Sequence, residues 1–123
     1  MLLLAAATPA SMDETQLAYT SCLSAEADTA IRYNIEPRVF ADVVGELCET
    51  ETIAYRAAAV RYLVDVARDQ PNFDPREARL VAEARFARVD EANRAQVVSS
   101  FGNRTRLRRG GPVAAPVETA ARR

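Results

Sequence analysis

The chain has 123 residues, is 49% hydrophobic and 27% charged, and sets 16 basic side chains against 17 acidic ones. That is the material of one small globular domain. Every basic residue is arginine, with no lysine and no histidine. This excludes Schiff-base and P-loop lysine chemistry, the usual general base near neutral pH and the usual metal ligand. The 2 cysteines, lacking histidine partners, are too few for a zinc site. The sequence therefore predicts no enzyme, no metal and no cofactor.

Residues 1–10 read Met-Leu-Leu-Leu-Ala-Ala-Ala-Thr-Pro-Ala, apolar and uncharged, ahead of polar sequence from Ser11. An apolar stretch with small residues at Thr8 and Ala10 matches two of the three parts of a secretory signal. The cationic part is missing, since the first base is Arg32; Met1 lying inside the apolar region would reconcile this. The expectation is export to the periplasm or medium, with a cytoplasmic protein carrying a short apolar arm as the alternative. No apolar run approaches the roughly 18–20 residues of a transmembrane span.

The remainder predicts an all-α protein: an antiparallel helical hairpin with a third helix, resembling a three-helix bundle, over residues 11–102. Ser11 and Glu14 form a capping box at the start of the first helix. Its inner stripe is Tyr19, Leu23, Ala27, Ala30 and Ile31, and it should stop near Tyr33 or Asn34, because Glu36 precedes Pro37. Pro37 opens the second helix, expected to run unbroken to about Arg68 with Phe40, Val44, Leu47, Glu51, Ala54, Ala58 and Tyr62 inward. Gly45 and the run Glu49-Thr50-Glu51-Thr52 are where a kink would fall. The third helix starts at Asp74 as cap, with Pro75 and Glu77 behind it. Ala78, Ala82, Phe86, Val89, Asn93, Val97 and Phe101 form its stripe, and Gly102 suits a left-handed stop. Residues 103–123 carry no helical period and read as a disordered basic tail.

Cys22 and Cys48 stand 13 residues either side of Ile35 at the hairpin turn. At 1.5 Å per residue each lies about 20 Å from that turn, at the same level on antiparallel neighbours. A Cys22–Cys48 disulfide is therefore expected in an oxidising compartment, and two small buried thiols in a reducing one. Redox catalysis is disfavoured, because Ser21, Ser24, Glu46 and Glu49 supply no positive charge.

Charge divides along the chain: ten arginines against sixteen acids up to Asn103, then six arginines against Glu118 alone. Arg104, Arg106, Arg108 and Arg109 are candidate anion-binding residues, since guanidinium forks match phosphate oxygens. They could instead solubilise the chain, fold back on the acidic helices or meet an anionic envelope surface. Nucleic acid is disfavoured by the absence of interleaved aromatics. Asp42, Glu46 and Glu49 would share one face of an unbroken second helix, where a solvated surface is commoner than calcium or acid–base chemistry. The four tyrosines read as core-edge aromatics with wet hydroxyls.

Ala-Tyr-Thr-Ser-Cys-Leu-Ser-Ala at 18–25 and Val-Val-Gly-Glu-Leu-Cys at 43–48 resemble small exported two-cysteine helical proteins of GC-rich bacteria. The resemblance covers roughly residues 1–60 and implies export and the disulfide, but no chemistry. The leading expectation is a non-enzymatic periplasmic or secreted protein that acts through a protein partner or an envelope surface. A cytoplasmic regulatory or nucleic-acid-associated protein using the arginine tail is the alternative.

Overall fold

The computed structural model describes residues 10–110. The expected signal-like segment, apart from Ala10, and the chain from residue 111 onward lie outside the described residues. Within them the fold is all-α and bundle-like. The elements are α1 (Met12–Arg32), α2 (Pro37–Val43), a 3₁₀ turn (Val44–Glu46), α3 (Glu49–Ala67) and α4 (Pro75–Arg108).

Both ends of α1 follow local chemistry. The Ser11 hydroxyl accepts the Glu14 amide at 3.1 Å, satisfying one of the orphan donors of the first turn. At the other end Asn34 takes φ 57°, a left-handed conformation that asparagine tolerates. The Asn34 amide donates to the Ile31 carbonyl at 3.1 Å and the Ile35 amide to the Ala30 carbonyl at 2.9 Å. This pair of bonds is a Schellman stop. Asp74 caps α4 by accepting the Arg76 amide at 3.0 Å.

The described residues fall into two compact units. One unit takes residues 10–20 and 48–88, and its centre is aromatic. The Tyr55 ring meets Tyr19 at 5.1 Å, tilted by 46°, and Phe86 at 5.1 Å, edge-on at 85°, geometries that the ring quadrupoles favour. Ala58, Ala59 and Ala82 are buried in the same unit. Thr15, also buried, turns its hydroxyl back to the Ser11 and Met12 carbonyls at 2.9 and 3.0 Å. The other unit takes residues 21–47 and 89–110. Its core is Ala27, Phe40, Val44 and Phe101, flanked by Ala30, Ile31, Leu47, Val97 and Val98. Phe40 and Phe101 stack at 4.3 Å and 7°.

The expected unbroken second helix is corrected. The chain tightens to 3₁₀ geometry at Val44, extends at Leu47 (φ −82°, ψ 150°) and turns left-handed at Cys48 (φ 60°, ψ 40°) before α3 begins. In a continuous helix the Val44 and Leu47 carbonyls would accept from residues 48 and 51. Here the Arg94 guanidinium donates to both, the Leu47 bond measuring 2.9 Å. Arg94 is only 7% exposed, and its Nε donates to Asp90 Oδ1 at 2.8 Å. One buried fork thus satisfies the end of the 3₁₀ turn and keeps its own counter-charge one helical turn away.

The break resets the phase of α3. Tyr55, Ala58 and Ala59 turn inward, while Ala54 faces out and Tyr62 is 51% exposed. Tyr33 is also exposed, and Tyr19 is fully buried, so the expectation of four edge tyrosines holds for neither pair. Asp42, Glu46 and Glu49 fall on three different elements, which dissolves the carboxylate row. On α4 the buried stripe passes through Asp90 and Arg94 rather than Val89, which is exposed.

The expected stop at Gly102 is corrected as well. Gly102 is an interior helical residue, and α4 continues to Arg108. The left-handed residue is Gly110 at φ 78°, where its amide donates to the Leu107 carbonyl at 3.1 Å. The boundary placed between 102 and 103 therefore falls inside a helix.

Removing the Arg94 fork takes the guanidinium from Asp90 and a charged donor from the Val44 and Leu47 carbonyls. Arg94→Leu should cost about 2–4 kcal/mol in urea denaturation. Arg94→Lys should recover little, since an ammonium cannot reproduce the planar fork. Near-wild-type stability in Arg94→Leu would show that the break is held by something else.

Candidate functional site

Cys22 projects from α1, and Cys48 is the residue before α3. They stand at disulfide distance, and neither is a free thiol. The Cys48 carbonyl accepts from Thr52 twice, from its amide at 2.9 Å and its hydroxyl at 2.7 Å. Glu49 and Glu51 occupy the first turn of α3, where carboxylates complement the helix dipole. The polar run is therefore a helix start, the signal the sequence carried for the break.

The four candidate anion-binding arginines all lie at the end of α4 or just past it, and each has an intramolecular partner. Arg104 pairs with Asp28 at 2.6 Å. Arg106 donates to Asn103 Oδ1 at 2.9 Å, and Arg108 to the Ile31 carbonyl. Arg109 meets both oxygens of Glu36, at 3.0 and 3.5 Å. Three of the four thus tie α4 to α1 or to the residue preceding α2. The structure brings them together as a fold-back seam with α1 and Glu36, rather than as a free cationic tail. Thr105 is buried among them, and its hydroxyl has no hydrogen-bond partner among the described residues.

Two of the open grooves, each within a single unit, stand out. One, of about 340 Å³, is bounded by Thr29, Tyr33, Ile35, Val39, Val43 and Leu47 and is almost wholly apolar. The other, of about 540 Å³, runs between α3 and α4 and combines an apolar floor with arginines. Neither is marked by a local motif in the sequence, because each is completed by residues from more than one segment. No helix among the described residues is long and apolar enough to cross a membrane.

Of the buried ionisable groups, Tyr55 is pushed above the ordinary phenol range by desolvation. Burial disfavours the phenolate. No family model matches the chain, and neither does any curated protein or solved structure.

Two outcomes test these assignments. A chain ending at Asn103 should unfold about 1–2 kcal/mol below one ending at Gly110, several degrees in Tm. It loses the Asp28 and Glu36 pairs and the burial of Thr105. Equal melting would mean the arginine contacts contribute nothing to folding.

The unfolded chain ionises tyrosine near pH 10 while folded Tyr55 stays neutral. Stability should therefore be constant below about pH 10 and fall as pH rises through the raised folded value. Tyr55→Phe should flatten that alkaline decline in a pH series of urea melts. An unchanged slope would place the effect on other groups.

Proposed function

We propose that this chain is a non-enzymatic exported helical protein, stapled by Cys22–Cys48, that acts through contacts of its surface with protein or envelope partners. The observation that carries the reading is the cysteine pair itself. Two cysteines 26 positions apart in sequence are at disulfide distance with no free thiol, and such bonds persist in oxidising compartments. The apolar stretch before Ser11 supports the same compartment. A chain without histidine or lysine has few side chains suited to acid–base or covalent catalysis, which favours binding over turnover. The partners already held by Arg104, Arg108 and Arg109 weigh against the alternative, a cytoplasmic protein gripping nucleic acid with these residues.

Fractionation of the native host with intact-mass measurement tests the reading. Protein from the periplasm or medium should weigh about 2 Da less than its reduced form, since forming the bond removes two hydrogens. Cys48→Ser should lower stability by about 2–4 kcal/mol. Recovery in the cytoplasm with both thiols quantitatively labelled, without prior reduction, would overturn it.

A further inference from the structure

The groove between α3 and α4 combines an apolar floor with a rim of four arginines. Its floor is Ile53, Ala57, Val60 and Val64, spaced four, three and four residues apart, so they form one stripe along α3. At 1.5 Å per residue that stripe is about 16 Å long. Ile53 is 58% exposed, so the stripe is open to a partner. Its rim is Arg56, Arg61 and Arg68 along α3 and Arg79 from α4.

Among the described residues, two carboxylates answer these four guanidinium groups. Glu83 is shared by Arg56 at 3.1 Å and Arg79 at 3.5 Å. Asp65 holds Arg68 at 3.2 Å, and Arg61 meets only a neutral group, the Ala10 carbonyl, at 3.2 Å. Among the described residues the groove therefore carries two positive charges in excess, on a chain that sets sixteen acids against ten arginines up to Asn103. All these pairs are solvent-exposed, and such pairs are worth little each. A partner's carboxylates can replace them at small cost.

We propose that this groove docks an amphipathic acidic helix of a partner protein. The inference rests on the surface-contact reading above and names the partner's chemistry. An incoming helix would lay apolar residues spaced i, i+3, i+4 and i+7 on the Ile53–Val64 stripe, the helix-in-groove mode of recognition. Aspartate or glutamate flanking those residues would meet the arginine rim, forming charge-assisted hydrogen bonds. Arginine suits such an interface, because its planar fork is only weakly hydrated. The distribution of charge selects a helix over a lipid. A single headgroup needs its cations gathered at one end, whereas Arg56, Arg61 and Arg68 are spread over about 18 Å of α3. Nucleic acid fits poorly, since no aromatic side chain lines the groove to stack a base.

The test uses the full chain as bait for a displayed library of helical peptides about four turns long, with free choice at every exposed position. Enriched peptides should carry an apolar stripe flanked by aspartate and glutamate, and their binding should weaken as salt is raised. Arg61→Glu/Arg79→Glu should bind them at least roughly tenfold more weakly. Arg38→Glu/Arg88→Glu, which reverses exposed charge outside the groove, should bind as the parent does. Far-UV circular dichroism checks that both variants remain helical. No enrichment, enrichment of neutral or basic peptides, or indifference to the groove substitutions would overturn the proposal. So would binding of phosphatidylglycerol vesicles lost in Arg61→Glu/Arg79→Glu, which would assign the groove to lipid. Self-association lost in that variant would assign it to a second copy of this chain. Compartment is read separately by fractionation, so failure of the export reading and failure of the groove are distinguishable.

Discussion

A buried arginine decides how the middle of this chain is arranged. Arg94 reaches from α4 to the Val44 carbonyl, which also accepts the Leu47 amide, and to the Leu47 carbonyl at the end of the 3₁₀ turn, where a helix end leaves carbonyls to be satisfied from elsewhere. Its own charge is balanced by Asp90, four residues earlier on the same helix, the favourable order for an acid–base pair. An orphaned buried carbonyl and an unpaired buried cation would each be costly alone. Together they satisfy one another, and the break between α2 and α3 becomes a stable feature.

The consequences run in both directions along the chain. Before the break, Phe40 and Val44 keep the helical phase that places them against Phe101 and Ala27. After it, α3 starts afresh from a left-handed Cys48 and presents Tyr55 to Tyr19 and Phe86. The same shift leaves Ile53 exposed beside Ala57, Val60 and Val64, which creates the apolar floor of the arginine-rimmed groove. A surface suited to recognition is in this sense a by-product of satisfying two backbone carbonyls.

Charge is used in two distinct ways. The arginines at the end of α4 are taken up internally, by Asp28, the Ile31 carbonyl and Glu36. Those flanking α3 share too few acids to be neutralised. Composition assigns both groups the same chemistry, and only their neighbours separate a structural seam from an exposed cationic rim. Arginine serves both ends because one planar fork can bridge carbonyls, bind a carboxylate or stay poised for a partner.

Local signals were legible wherever neighbours in sequence supply the physics. The Ser11 and Asp74 caps, the stop at Asn34, the inner stripe of α1 and the all-α class follow from side chains within one or two turns of where they act. The matched levels of Cys22 and Cys48 were legible too. They were reached through a continuous second helix that does not exist, so that geometry was right in outcome for an incomplete reason. Three features were not fully legible. Gly45 and the polar run Glu49–Thr52 marked where the second helix could break, but the break itself is fixed by a donor about fifty residues away. The stripe of α4 passes through Asp90 and Arg94, where a periodicity argument looks for apolar residues and finds charges. Gly102 resembles a stop, yet α4 persists because Phe101 and Thr105 are buried on either side of it. Sequence by itself determined the all-α class and where α1, α2 and α4 begin. Tertiary structure decided which of them must end and which charges turn inward, because a carbonyl or a cation is indifferent to sequence distance and needs only a partner within hydrogen-bond reach.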